Sequence, residues 1–214
     1  MSVTSAEMPD RAYHEELWRH VPPGAVPADF DLRSAFLLAR VAAGERVLDL
    51  GCGEGAFAVA LAGAGTSVLA ADVAAEPLRR AHAAHPDLEL ELLETETRWR
   101  LADAAFDVVW AGEVIEHVAD TAGWLSEVRR VLRPAGRLLL TTPSLGPSQL
   151  LAAALSQRAF ATRFDPRSDH LHHYSRATLA ALISDFGFER IDVRAAGRPG
   201  ARHVLLASAV RSRF

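Results

Sequence analysis

The chain has no lysine: all 23 of its basic side chains are arginine. With its wealth of alanine, this reads as a bias of the coding sequence and not as a functional signal. Cysteine is nearly absent. The single one, Cys52, excludes an internal disulfide and fits a reducing compartment. A strong excess of one charge is missing too. A net charge of −4 gives no general signal for nucleic-acid or membrane binding. No apolar run reaches the ~20 residues of a membrane-spanning helix, and the N-terminus carries no signal-peptide pattern. The expectation is a cytoplasmic protein without a membrane partner. Half of the 214 residues are apolar, enough for one domain with a substantial core.

One stretch organises the rest. Arg46 to Leu50 is an apolar run of strand length. Gly51, Gly53 and Gly55 follow in alternation, then an alanine-rich helical pattern to Ala64. Strand, glycine turn and helix form the front half of a βαβ nucleotide site. A second apolar strand, Ser67 to Asp72, ends in an acid about 20 residues past the glycines, where a carboxylate can accept from both hydroxyls of a ribose. Ahead of this stretch, residues 1–10 read as a leader and 11–20 as a short helix broken by Val21-Pro22-Pro23-Gly24. Asp31 is placed to cap a helix over 32–42. Downstream, a helix over 74–84, strands over 88–93 and 107–111, and a helix over 119–132 alternate. Arg133-Pro134-Ala135-Gly136 stops that helix before a strand over 137–142. Such alternation predicts a parallel sheet with helices on both faces. The pattern then changes to an apolar helix over 148–160 and a loop over 163–173 dense in charge and histidine. A helix capped by Ser175 and ended by Gly187, and strands over 189–195 and 203–210, complete the chain.

Two details separate the glycine turn from a dinucleotide site. Asp49 sits two residues before Gly51, and Ala56 stands where a third dinucleotide glycine would fall. Together with Asp72, Phe106-Asp107-Val108-Val109, Glu113 to Val118 and Arg130 to Gly136, this stretch resembles the class I S-adenosylmethionine (SAM)-dependent methyltransferases. The resemblance extends over roughly residues 30–210 and implies a Rossmann-like α/β fold of about seven strands, mostly parallel with one antiparallel strand. It divides the chain into a leader and short helix (1–30) and a methyltransferase domain (31–214). An insertion near 146–173 either caps the substrate pocket or only packs. It also implies a cofactor site. Gly51, Cys52, Gly53 and Gly55 would surround the amino-acid end of SAM, with Asp49 at its ammonium. Asp72 and Val73 would meet the ribose, Glu94 and Thr95 the adenine, and Gly112 the cofactor through its backbone. The helix over 32–42 would lie on the cofactor. Its Arg33 either reaches the SAM carboxylate, as in related quinone-biosynthesis O-methyltransferases, or is a solvated surface residue. The loop 94–105 departs from the family's spelling, with Arg98-Trp99-Arg100 in place of the commoner Leu-Pro, and Trp99 either stacks or packs.

The chemistry is concentrated in Glu113-x-x-Glu116-His117. On a helical turn these three side chains share one face. They suit a divalent cation (Mg²⁺, Mn²⁺ or Zn²⁺), a general base at His117 aided by Glu113, or a purely structural loop. A later loop adds Asp169-His170-Leu171-His172-His173. Quinone-pathway O-methyltransferases use the first motif with a divalent metal. Small-RNA 2′-O-methyltransferases add a later Asp-His, which would make His170 a fourth ligand beside Glu113, Glu116 and His117. Alternatively, the histidine loop rests on the pocket lid. No basic, aromatic-interleaved patch favours RNA. The expected function is methyl transfer from SAM to a small-molecule acceptor, at a hydroxyl oxygen, by a monomer or homodimer. An RNA 2′-O-methyltransferase and a SAM-binding module without turnover are the alternatives.

Overall fold

The computed structural model describes residues 9–94, 98–165, 168–198 and 201–213. In chain order the elements are α1 (Pro9–His20), α2 (Phe30–Leu38), β1 (Arg46–Leu50), α3 (Ala56–Gly63), β2 (Ser67–Asp72), α4 (Ala75–Ala84), β3 (Glu89–Leu92), β4 (Phe106–Gly112), α5 (Thr121–Val131), β5 (Leu132–Pro143), α6 (Pro147–Leu155), α7 (Gln157–Arg163), α8 (Arg176–Asp185), β6 (Phe188–Arg198) and β7 (Ala201–Arg211). One sheet takes the order β3-β2-β1-β4-β5-β7-β6. Strands β1 to β5 pair in parallel, and β7 runs antiparallel to both β5 and β6. The seven-stranded, mostly parallel Rossmann-like architecture is therefore present. Strand order reverses between β1 and β4, which puts the topological switch point, where open α/β sheets bind ligands, at the carboxyl ends of those two strands.

Near-continuous apolar runs make the central strands because both sheet faces are covered. Alternate residues feed two cores. Leu48, Val109 and Leu140 face one cluster with Leu125, Val128 and Ile183, while Val47, Val108 and Leu139 face another with Phe36, Leu37 and Leu61. Leu125 is fully buried, and its truncation to alanine costs about 2–5 kcal/mol. At the sheet edge, β3 alternates glutamate with leucine, as a half-exposed strand should. No helix among the described residues is long and apolar enough to cross a membrane.

Four local expectations are corrected. Helix α2 begins at Phe30, with Asp29 at its N-cap in the left-handed region (φ 51°) and not with Asp31. Asp29 makes no side-chain cap, because its carboxylate accepts from His203 Nε2 at 2.6 Å. Arg133 to Gly136 does not separate α5 from its strand. It forms an irregular excursion inside β5, where Leu132 pairs with Phe106 and Arg137 with Val108, and Ala135 turns at φ 64°. The apolar helix over 148–160 is two helices, because Ser156 breaks the run and caps α7 by accepting from Ala159 N at 3.3 Å. Finally, the residues from Glu113 to His117 make an irregular turn and not a helix.

Candidate active site

Beyond β1 the chain turns through Gly51 (φ 72°) and Gly53 (φ 55°), which Gly tolerates without steric cost. The amides of Gly51 and Cys52 donate to Ala71 O at 2.8 and 3.0 Å, pinning the turn to β2. A Cβ on Gly51 would stand 2.5 Å from Val114 Cγ2, and one on Gly53 2.8 Å from the Trp18 ring. The missing side chains thus let Val114 and Trp18 close on the turn. Gly55 sits at the N-cap of α3. Cys52 is buried, its Sγ 3.5 Å from Gly53 O, and burial pushes its thiol well above the ordinary value, so it packs and does not react.

Two buried acids flank this turn. Asp49 is 1% exposed; neither carboxylate oxygen makes a close hydrogen bond among the described residues, and only the Ala58 amide and the Arg33 charge act to keep it ionised. Burial first, and Asp72 second, push it up to about 7. A bare buried carboxylate is costly unless a cation arrives. Asp72 is held rigidly instead: it accepts from Gly53 N and Ala74 N, both at 2.9 Å. Burial still raises it above the usual carboxylate range. Val73 packs against the core at the strand end. Glu94 is exposed and accepts from Arg100 at 3.0 Å, while Thr95 lies outside the described residues. Trp99 is a core residue that packs with Leu93 and Trp124.

Arg33 is not a surface residue; it is 4% exposed. Its Nε donates to Thr141 Oγ1 and its Nη1 to Ala28 O, each at 3.1 Å, and its guanidinium lies 4.7 Å over the Phe57 ring. Its Nη2 occupies the space that a side chain at Gly112 would need. Burial lowers its pKa, while Glu113, Glu116 and Asp49 counter that shift. A guanidinium thus acts on the one acid of β1, Asp49, and on Glu113 and Glu116 after β4.

The helix over the glycine turn is α1, not α2. Trp18 rests on Gly53. Glu15 caps α4 from outside, accepting from Ala75 N at 2.5 Å and Glu76 N at 3.1 Å. Arg80 of α4 donates to Trp18 O at 2.9 Å and Val21 O at 2.8 Å, satisfying carbonyls at the end of α1. Sequence reading treated this segment as incidental. The density of Tyr13, His14, Glu15 and Trp18 in one short stretch was the available signal.

The second group follows β4. Glu113 sits at φ 57°, its amide donating to Thr141 O at 2.9 Å. The one-turn spacing argument therefore fails, and Glu113 faces Arg33 and Thr141, with burial raising its pKa. Glu116 is wholly buried. Its Oε2 accepts from Thr142 Oγ1 at 2.8 Å, and its Oε1 has no hydrogen-bond partner among the described residues. Burial, then Glu113, push it up to about 8. His117 Nδ1 lies 3.0 Å from Asp169 O. A carbonyl only accepts, so Nδ1 carries a proton, and in the neutral ring Nε2 is then the acceptor atom, 3.9 Å from Glu116 Oε1. The His170 ring packs edge-on at 4.9 Å from His117. Glu116, His117 and His170 each present one ligand atom within 4.8 Å of the others, a separation that fits one divalent ion. Glu113, His172 and His173 are not in that set. The amides of Leu171 and His172 donate to Glu116 O at 2.8 and 3.1 Å, which is how the distant loop reaches β4. A separate groove of about 610 Å³, between Ser144–Pro147, the start of α8 and β6, shares none of these residues.

With this geometry in place, the chain matches the methyltransferase-domain family over residues 18–193. It belongs to the class I SAM-dependent methyltransferases. Among curated relatives, the ubiquinone biosynthesis O-methyltransferase of Ruegeria pomeroyi is 37% identical over 156 residues, covering 70% of this chain and 62% of that protein. The Aeromonas salmonicida protein of the same name is 31% identical, over 60% of this chain and 56% of its own length. The chain spans about three-fifths of the length of these curated relatives. Among solved structures, a Mesorhizobium loti SAM-dependent methyltransferase aligns with a TM-score of 0.67 at 24% identity, over 88% of this chain and 99% of that one. At that identity it speaks for the fold alone. The cofactor of this methyltransferase family is SAM.

Proposed function

We propose that this methyltransferase transfers the SAM methyl to a hydroxyl oxygen of a small-molecule acceptor bound at Glu116, His117 and His170. The observation that carries the reading is one buried carboxyl group converging with two imidazoles, across Arg33 from a bare buried carboxylate. SAM brings a methyl already activated by its sulfonium, so the protein's task is positioning and desolvation. Asp49 would accept from the cofactor ammonium, Asp72 would use its remaining lone pairs for the ribose hydroxyls, and Arg33 would meet the cofactor carboxylate. Asp169 fixes the His117 ring, and Nε2 would take the acceptor hydroxyl's proton. Glu116, His117 and His170 would alternatively hold a divalent ion, which supplies a lowered hydroxyl pKa when bound. A metal-bound nitrogen cannot also accept a proton, so the two roles exclude one another. The α6–α7 hairpin leaves Leu150, Leu151, Leu155 and Phe160 exposed, which suits a cap that closes on an acceptor. The names of the curated relatives support oxygen as the methylated atom.

The test is a screen of catechols, quinol precursors, sugars and short RNA with labelled SAM, with added divalent metal and with chelator. Turnover of a small hydroxyl acceptor is the expected result. Turnover that survives chelation assigns His117 as the base, and turnover lost to chelation assigns the metal. Label appearing only in RNA, or in no acceptor at all, would contradict the proposal.

A further inference from the structure

Helix α1 touches both halves of the site, and the reaction as proposed gives it no part. On the cofactor side, Trp18 covers Gly53, Glu15 caps α4, and Arg80 holds two carbonyls at the helix end. Glu54 completes that side by accepting from Arg80 at 3.0 Å and from Gly24 N at 2.7 Å. On the acceptor side there is one described ring contact: the His14 ring stands edge-on to His117, 6.3 Å between centroids at 84°. His117 in turn packs on His170. His14, His117 and His170 thus form a continuous row of ring contacts that starts on α1.

The rest of α1 faces outward, with Tyr13 46% and Leu17 38% exposed. A helix of 12 residues is marginal by itself, so its position depends on these few contacts. Segments held by few buried apolar contacts open locally at low cost. A ligand bound at the glycine turn under Trp18 adds contacts to the side of α1 that already anchors it, and fixes the helix by mass action.

We propose that α1 is a clasp coupling the two sites. Cofactor bound beneath it fixes the helix, and the fixed helix holds His14 against His117, ordering the acceptor loop. His14 is then a positioning residue, neither ligand nor base. This inference rests on the SAM reading above.

Amide hydrogen exchange with S-adenosylhomocysteine as the probe tests it. In the wild-type protein the ligand should slow exchange in residues 9–20 and in residues 168–174 by about tenfold or more. In His14→Ala, protection should rise in 9–20 but not in 168–174, with ligand affinity within about twofold of wild type. His14→Phe keeps a ring against His117 and should restore protection of the loop. Kinetically, His14→Ala should raise the acceptor KM or lower kcat while leaving the SAM KM unchanged. Equal loop protection in wild type and His14→Ala would overturn the coupling, as would failure of His14→Phe to restore it. Bound ligand without protection of residues 9–20 would overturn the clasp. Absence of ligand binding by calorimetry would sink the SAM reading itself, a failure distinct from the other three.

Discussion

Two buried acids frame the molecule's chemistry and are built in opposite ways. Asp49, at the end of β1, has bare oxygens, and its surroundings come from the neighbouring strand and the glycine turn. Glu116, past β4, is partnered by Thr142 and grips the 170–172 loop through its backbone. Burial raises both, to about 7 and about 8. As proposed, the first would ionise to receive the cofactor ammonium. The second sits against two imidazoles and can exchange protons or hold a cation. The two candidate groups thus stand one strand spacing apart, with Arg33 acting on both acids.

The separation can be broken by mutation, starting from the largest effect. His117→Ala should lower kcat by about 10²–10⁴-fold while leaving SAM affinity unchanged in calorimetry. Asp49→Asn should do the reverse, weakening SAM binding by about 1.5–3 kcal/mol while sparing the acceptor KM. Gly51→Ala should be the exception that moves both readouts. Its φ of 72° costs about 1–2 kcal/mol for an L side chain, and its Cβ would press on Val114, next to Glu113. Thermal unfolding and a full kinetic analysis of that variant check the link.

The smallest effect is graded with pH. Asp49 and Glu116 keep their protons in the folded, ligand-free protein up to about 7 and about 8, whereas the unfolded chain releases them near the ordinary acid range. Stability from these groups is therefore fully present below about pH 4 and is lost as pH rises to about 8, by at most about 1.4 kcal/mol per pH unit for each group. Denaturant titrations of Asp49→Asn/Glu116→Gln should show a flatter profile across this window. An unchanged slope would mean that neither acid is held neutral by the fold.

The placement of the candidate cofactor residues was legible because it is local. The bounds of β1 and β2, the glycine turn and the position of Asp72 follow from a short stretch whose periodicity and turn residues agree. The acceptor half was legible in membership but not in geometry. Glu113 was grouped with Glu116 by helical spacing, and a left-handed φ at Glu113 defeats that spacing. His170 joins through backbone bonds to Glu116 O from more than fifty residues away, a contact no periodicity reports. For Arg33 the sequence left a cofactor contact and a solvated surface position open, because the space beside Gly112 that receives its side chain is a property of packing. Helix α1 was underrated because its anchors, Gly53 and Arg80, lie in other elements.

The central claim is that Asp49, a neutral carboxylic acid below about pH 7 in the ligand-free protein, ionises when the SAM ammonium arrives. Calorimetric titration of SAM at about pH 6, in buffers of differing ionisation enthalpy, measures the protons exchanged on binding. Release of about one proton per SAM, lost in Asp49→Asn and retained in Glu116→Gln, is the predicted result. Tight binding with no proton release, or release that persists in Asp49→Asn, would contradict it.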